Sequence, residues 1–192
     1  MKRYPKPDYE EFLVQVAYGK DYLDGCIGSA YSDFCRTMHR FGKLPNKDSI
    51  YEKASFKVRN AVNAIASTPP QTQSEFDKWH RSLSKALIDI FKNANFDFHA
   101  GQAQKWINMT LKNIFVCGEK RLPGFQPVYE FCHMPIDKVV LKRLKEENVT
   151  IPAKAWSRWD YEKYFQFQMQ LREWSGGQPL LNIEHPLWID GR

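Results

Sequence analysis

The chain has 192 residues, 43% of them hydrophobic, with 28 Lys plus Arg against 22 Asp plus Glu for a formal charge of +6. A chain of this length buries one core of ordinary size, so a single domain over 1–192 is expected, and no apolar run approaches the roughly twenty residues of a membrane span. The leading Met1-Lys2-Arg3-Tyr4-Pro5-Lys6-Pro7 lacks the apolar stretch of a secretory leader, which argues for a soluble, cytoplasmic protein, and the positive excess fits either a polyanionic partner or a solvated basic surface.

The elements read as helices. Residues 49–66 carry Ala54, Val58, Ala61, Val62 and Ile65 at helical spacing behind a capping box from Ser49 to Glu52, and Thr68-Pro69-Pro70 ends the run. A second helix opens at Ser74, with Asp77 three positions on, and lines up Phe76, Trp79, Leu83, Leu87, Ile90 and Phe91. Turn chemistry from Asn93 to Gly101 separates it from a third helix over 102–116, which gives a helix–turn–helix pair. After a loop over 118–127, Pro135-Ile136-Asp137 starts a helix through Glu147, and Ser157-x-x-Asp160 caps another that runs to Trp174 and closes at Gly176-Gly177. Alternating strand patterns are scarce, so the fold class is all-α: one domain of two sub-lobes with a cleft between them.

Cysteines 26, 35, 117 and 132 form no C-x-x-C pair and no zinc spacing. They read as buried thiols, and neither a metal nor a cofactor is expected. Aromatic residues make up 15% of the chain. Where they interleave with basic residues, as in Trp156-Ser157-Arg158-Trp159, the pattern suits base stacking beside phosphate contacts, or plain core packing.

The helix over 102–116 sets its main apolar face at Ala103, Trp106, Ile107, Leu111 and Ile114, with Lys105 and Lys112 seven residues apart. Seven helical steps return nearly to the same azimuth, so both ammonium groups project from one side, Met109 between them. They line a cleft wall or sit at the rim of an ordinary polar face. Asp137 falls at a helix start, where unpaired N–H groups and the macrodipole favour the charged carboxylate.

From Gly101 to Leu144 the sequence, with Lys105-Trp-Ile-Asn-Met-Thr-Leu-Lys112, a loop, and then Met134-Pro135-Ile136-Asp137 entering a helix, resembles the core of the helix-hairpin-helix DNA glycosylases. Within that superfamily it is most similar to the archaeal 8-oxoguanine DNA glycosylases. The resemblance implies a helix-hairpin-helix-like element around 75–116 and a catalytic core over 75–192. It implies Lys105 as nucleophile, Asp137 as catalytic carboxylate and Lys112 in the base pocket. Near the C-terminus the family has an acidic residue four positions before a tryptophan. Glu184-His-Pro-Leu-Trp188 reproduces that pattern with Glu for Asp, implying Glu184 as acceptor for ring N–H groups and Trp188 as a stacking platform. The hairpin departs from the superfamily, since Phe98-His-Ala-Gly-Gln lacks the usual Gly-x-Gly.

The chemistry implied is displacement of a damaged base from deoxyribose. A carboxylate stabilises the oxocarbenium-like sugar and an amine captures it as a Schiff base; the lysine must first lose its proton, since a free one is charged at neutral pH. The partner is then double-stranded DNA with an oxidised or modified purine, flipped out of the stack. Lys138, Lys142 and Arg143 contact phosphate, or form a solvated face. The expected protein is a nucleoid-associated monomer with glycosylase and lyase activity. Two other classes fit the same residues: a non-catalytic helical DNA-binding module and a helical protein-interaction factor.

Overall fold

The computed structural model describes residues 9–191; the basic N-terminal heptapeptide lies outside them. Among the described residues eight α-helices run in the order α1 (Tyr9–Tyr18), α2 (Tyr22–Phe34), α3 (Lys47–Ser67), α4 (Gln73–Lys92), α5 (Ala100–Cys117), α6 (Lys138–Glu146), α7 (Tyr161–Trp174) and α8 (Leu180–Asp190), with 3-10 turns between α2 and α3, α5 and α6, and α6 and α7. There is no strand among the described residues, and none of their helices is long and apolar enough to cross a membrane.

Two apolar clusters organise the chain. The first gathers α1 to α5 around Phe34, Ala54, Val58, Val62, Phe76, Leu87, Phe91, Trp106 and Leu111. The second gathers α6 to α8 around Met134, Ile136, Val140, Leu144, Trp159, Tyr164, Phe167 and Leu171. Trp156 packs against both. The expected sub-lobes are these two clusters.

α5 is the hub. It lies along α2, α4 and α7, and fourteen of its eighteen residues are buried. The expected amphipathic helix with lysines flanking an apolar stripe is therefore corrected: Gln102, Gln104, Lys105, Asn108, Thr110 and Asn113 are all buried with it. Each buried polar group then requires a partner inside the protein. Gly101 is the second residue of α5 rather than part of the turn. A Cβ there would come within 1.8 Å of the Trp156 carbonyl, and the Gly101 N–H donates to the Trp159 carbonyl at 3.0 Å. Only glycine permits that approach.

The α4–α5 hairpin turns through Asn95, whose φ of +57° is left-handed. It is pinned to the first core by Phe98, stacked on Phe91 at 4.1 Å and 16°. Caps fall elsewhere than the spacing implied. Thr72, not Ser74, caps α4 by accepting from the Glu75 N–H, and α3 begins at Lys47, which puts Ser49 inside its first turn. Asp160, not Ser157, is the N-cap of α7, accepting from the Lys163 N–H at 2.8 Å, and Ser157 lies in the 3-10 turn before it. Trp159 is buried in the second core with its Nε1 donating to the Lys154 carbonyl. Its part in the Trp-Ser-Arg-Trp segment is packing, not base stacking.

Candidate active site

Asp137 is the N-cap of α6 (φ −145°, ψ −177°). Its two carboxylate oxygens divide the work: Oδ1 accepts from the Val140 N–H at 2.9 Å, while Oδ2 accepts from Lys105 Nζ at 2.8 Å. The cap fixes the carboxylate, and the fixed carboxylate meets an ammonium delivered by α5. The two side chains are 4% and 15% exposed, so each charge requires the other to offset its lost hydration. Lys105 belongs to a helix of the first cluster and Asp137 follows a residue of the second. The ion pair thus bridges the two cores.

Two turns along α5, about 10 Å at the usual helical rise, Lys112 Nζ donates to Glu184 Oε2 at 2.5 Å. The same ammonium lies 5.5 Å from the centre of the Trp188 ring, a cation–π arrangement. Glu184 and Trp188 are four residues apart on α8 and therefore share a face. Glu184 is fully buried, and its second oxygen, Oε1, has no hydrogen-bond partner among the described residues. A buried, half-used carboxylate is costly, and it needs a donor to satisfy it.

Sequence reasoning missed Asp33, at the end of α2. Partial burial pushes its carboxyl above the ordinary value although it keeps an exposed edge; Lys105, Lys112 and Arg36 pull it down and Asp137 pushes it up. Asp33 is therefore within electrostatic reach of Lys105, Asp137 and Lys112. The signal was weak: an acidic residue in a glycine-containing helix without marked periodicity.

Lys138, first residue of α6, is exposed beside Asp137. With Leu141, Lys142, Lys145, Val149, Thr150 and Ile151 it lines an open groove of about 540 Å³. Lys142 is 70% exposed and 4.0 Å from Glu146, whereas Arg143 is half-buried and bonded to Glu146 at 2.5 Å. Arg143 is thereby tied into α6, and Lys145 lines the same groove. Among the described residues a cavity of about 340 Å³ lies elsewhere, between Tyr31, Cys35, Met38, Phe41 and Tyr51. At the Lys105 and Lys112 positions the side chains close on their own carboxylates.

A second polar centre is buried behind Lys105. His80 and His133 pack 4.5 Å apart. Burial keeps both rings neutral, with His133 pushed down to about 4 and His80 well below its ordinary value. His133 bonds to Asp77 at 2.8 Å, and Arg172 donates to both Asp77 oxygens at 2.6 and 3.0 Å. Burial alone would raise the Asp77 carboxyl, yet hydrogen bonds from His133 and Arg172 hold it well below the usual range. No group of His, Cys, Asp and Glu suited to hold a metal ion occurs among the described residues. Cys26 and Cys117 are buried with their sulfurs 3.5 Å apart, and Cys132 is buried as well.

Comparison of the chain with protein-family models, with curated proteins and with solved structures finds no match.

Proposed function

We propose that this protein is a DNA glycosylase with associated lyase activity, excising an oxidised or modified purine, 8-oxoguanine first among them, from duplex DNA. The observation that carries the reading is the 2.8 Å contact between Lys105 Nζ and Asp137 Oδ2, an amine and a carboxylate from separate elements, paired and largely dehydrated. As the bond from C1′ to the base breaks, its electron pair leaves with the base, which takes up a proton. Asp137 stabilises the positive charge that grows on the sugar. Lys105, having lost a proton, forms the C1′–Nζ bond; ring opening gives a Schiff base, and loss of a C2′ proton then allows elimination of the 3′ phosphate.

The orphaned Glu184 Oε1 supports the base-recognition role. A purine edge with N–H donors would supply the hydrogen bond this buried oxygen lacks, and the Trp188 ring, which lies by the same Lys112 ammonium, is the proposed stacking surface. Lys138, Lys142 and Lys145, with Arg143 beside them, form the surface proposed to hold phosphates, Lys142 being 70% exposed. On this reading the protein is a cytoplasmic, nucleoid-associated monomer, and its Schiff-base chemistry runs through Lys105 itself. The test is incubation with duplexes carrying 8-oxoguanine and other modified purines in the presence of borohydride. Base release with a covalent protein–DNA adduct is expected. Salt-sensitive binding without release or adduct across the panel would instead leave a non-catalytic DNA-binding domain.

One observation favours a second reading, a protein-interaction role. Tyr9, Phe12, Leu13 and Val16 are each more than 60% exposed and recur at i, i+3, i+4 and i+7 along α1, so an apolar stripe faces outward. Failure to bind any DNA at low salt would favour it over the glycosylase.

A further inference from the structure

The segment that delivers Asp137 has no regular secondary structure between Cys132 and Asp137, yet Met134, Pro135 and Ile136 are buried. A buried backbone without a helix or sheet must find its hydrogen bonds from side chains. Two glutamines supply them. Gln168 on α7 accepts from the Met134 N–H at 3.0 Å and donates to the Met134 carbonyl at 2.8 Å. Gln104 on α5 accepts from the Ile136 N–H at 3.2 Å and donates to the Ile136 carbonyl at 2.9 Å. Residues 134 and 136 are the alternate positions a neighbouring strand would pair with, and Pro135 between them has no N–H to satisfy. Each carboxamide takes the place of one residue of that absent strand.

The register is what matters for the site. Gln104 holds Ile136, and the next residue on each element forms the ion pair, Lys105 with Asp137. The amide orientation of Gln104 is itself fixed from behind. Asn108 Nδ2 donates to Gln104 Oε1 at 3.0 Å and to the Tyr164 hydroxyl at 2.9 Å. Asn108 Oδ1 then accepts from His80 Nε2 at 3.1 Å, and the Tyr164 O–H is left to donate to His133 Nδ1 at 2.7 Å. A chain of neutral, fully bonded groups thus runs from the buried histidines to the residue that precedes Asp137.

We propose that Gln104, backed by Gln168, is a positioning residue that sets the register of segment 132–137, so that the Asp137 carboxylate arrives at Lys105 Nζ. The catalytic consequence rests on the glycosylase reading above; the geometric one does not.

The experiment uses the full-length protein and the variants Gln104→Met and Gln168→Met, with Val62→Ala in the first core as a control that loosens packing elsewhere. Two readouts are taken. The first is reductive methylation of Lys105 with formaldehyde and cyanoborohydride, measured by mass spectrometry against exposed Lys142 in the same molecule. The second is the single-turnover excision rate beside the affinity for a duplex with an abasic-site analogue.

In Gln104→Met, Lys105 methylation is expected to rise several-fold and excision to fall by about tenfold to a hundredfold, with Kd unchanged within a factor of about two. Gln168→Met should move both in the same direction by less, and Val62→Ala should move neither. If Gln104→Met does not fold, Gln168→Met carries the test. Unchanged Lys105 labelling in the glutamine variants that fold, or an equal change in Val62→Ala, overturns the proposal. Increased Lys105 labelling in the glutamine variants, in a protein whose wild type excises no lesion, would leave the clamp standing and remove the glycosylase reading.

Discussion

At the Asp77–Arg172 centre every charged oxygen is taken: Oδ1 accepts from Gln73, His133 and Arg172, and Oδ2 from Arg172 again. At Lys105–Asp137 the ammonium makes a single hydrogen bond among the described residues, and the carboxylate spends its other oxygen on a helix cap. Both centres are mostly buried and both join separate elements, yet one is saturated and the other keeps two ammonium donors in reserve. Saturation is what a structural pair needs, because each unmet bond in the interior costs stability. Spare coordination beside an exposed edge such as Asp33 is what a reacting atom needs. The Lys112–Glu184 pair is of the second kind, with one oxygen unused.

Mutations should separate the two kinds. Asp137→Asn preserves a side-chain oxygen able to cap α6 but removes the charge facing Lys105. Excision should drop about a hundredfold to a thousandfold in single-turnover assays; the cap is kept, but Lys105 is left buried without its counter-charge, so denaturant unfolding should shift by about 3 kcal/mol as well. Asp77→Ala should match it in stability but not in activity. It strands Arg172 beside neutral His133 and costs about 3 kcal/mol in the same unfolding experiment, with the rate per folded molecule falling far less than in Asp137→Asn. Equal losses of activity in both variants would erase the distinction.

Acid sharpens the contrast further. His133, and His80 with it, has a folded value below the ordinary 6.5, so the unfolded chain binds protons that the fold excludes. Stability is therefore whole above about pH 6.5 and drains as pH falls toward 4; Asp77, held low, adds a further loss below its ordinary 3.8. Thermal melts across this range should show the decline, and a His133→Gln variant should flatten it. The smallest effect is expected at the surface. Lys142→Ala should weaken DNA binding modestly and lower the slope of log K against log salt by about one, leaving the excised base unchanged.

How much of this the residues announce differs between the two cores. The long helices α3 and α4 were readable because Val58, Val62, Phe76, Leu83 and Leu87 repeat at helical spacing. α2 and α8 were not: Gly25 and Gly28 lower the helix propensity of the first and Pro186 interrupts the second, and both are helical because of what they pack against. Lys105, Lys112, Asp137, Glu184 and Trp188 stand out as a set only through the family resemblance. The buried network could not, although Gln104 with Asn108 and Tyr164 with Gln168 are polar pairs four residues apart on apolar helices, a spacing that marks a shared buried face. Partners 32 and 56 residues distant, such as Gln104 with Ile136 and Asn108 with Tyr164, emerge only when the chain is folded.

The central claim is that the Lys105 amine becomes covalently joined to the sugar. After borohydride trapping on an 8-oxoguanine duplex, nuclease digestion and proteolysis, mass spectrometry should find the reduced sugar remnant on the peptide containing Lys105 and on no other, and Lys105→Ala should yield no adduct. A remnant on the N-terminal amine or on another lysine, or an undiminished adduct in that variant, would contradict it.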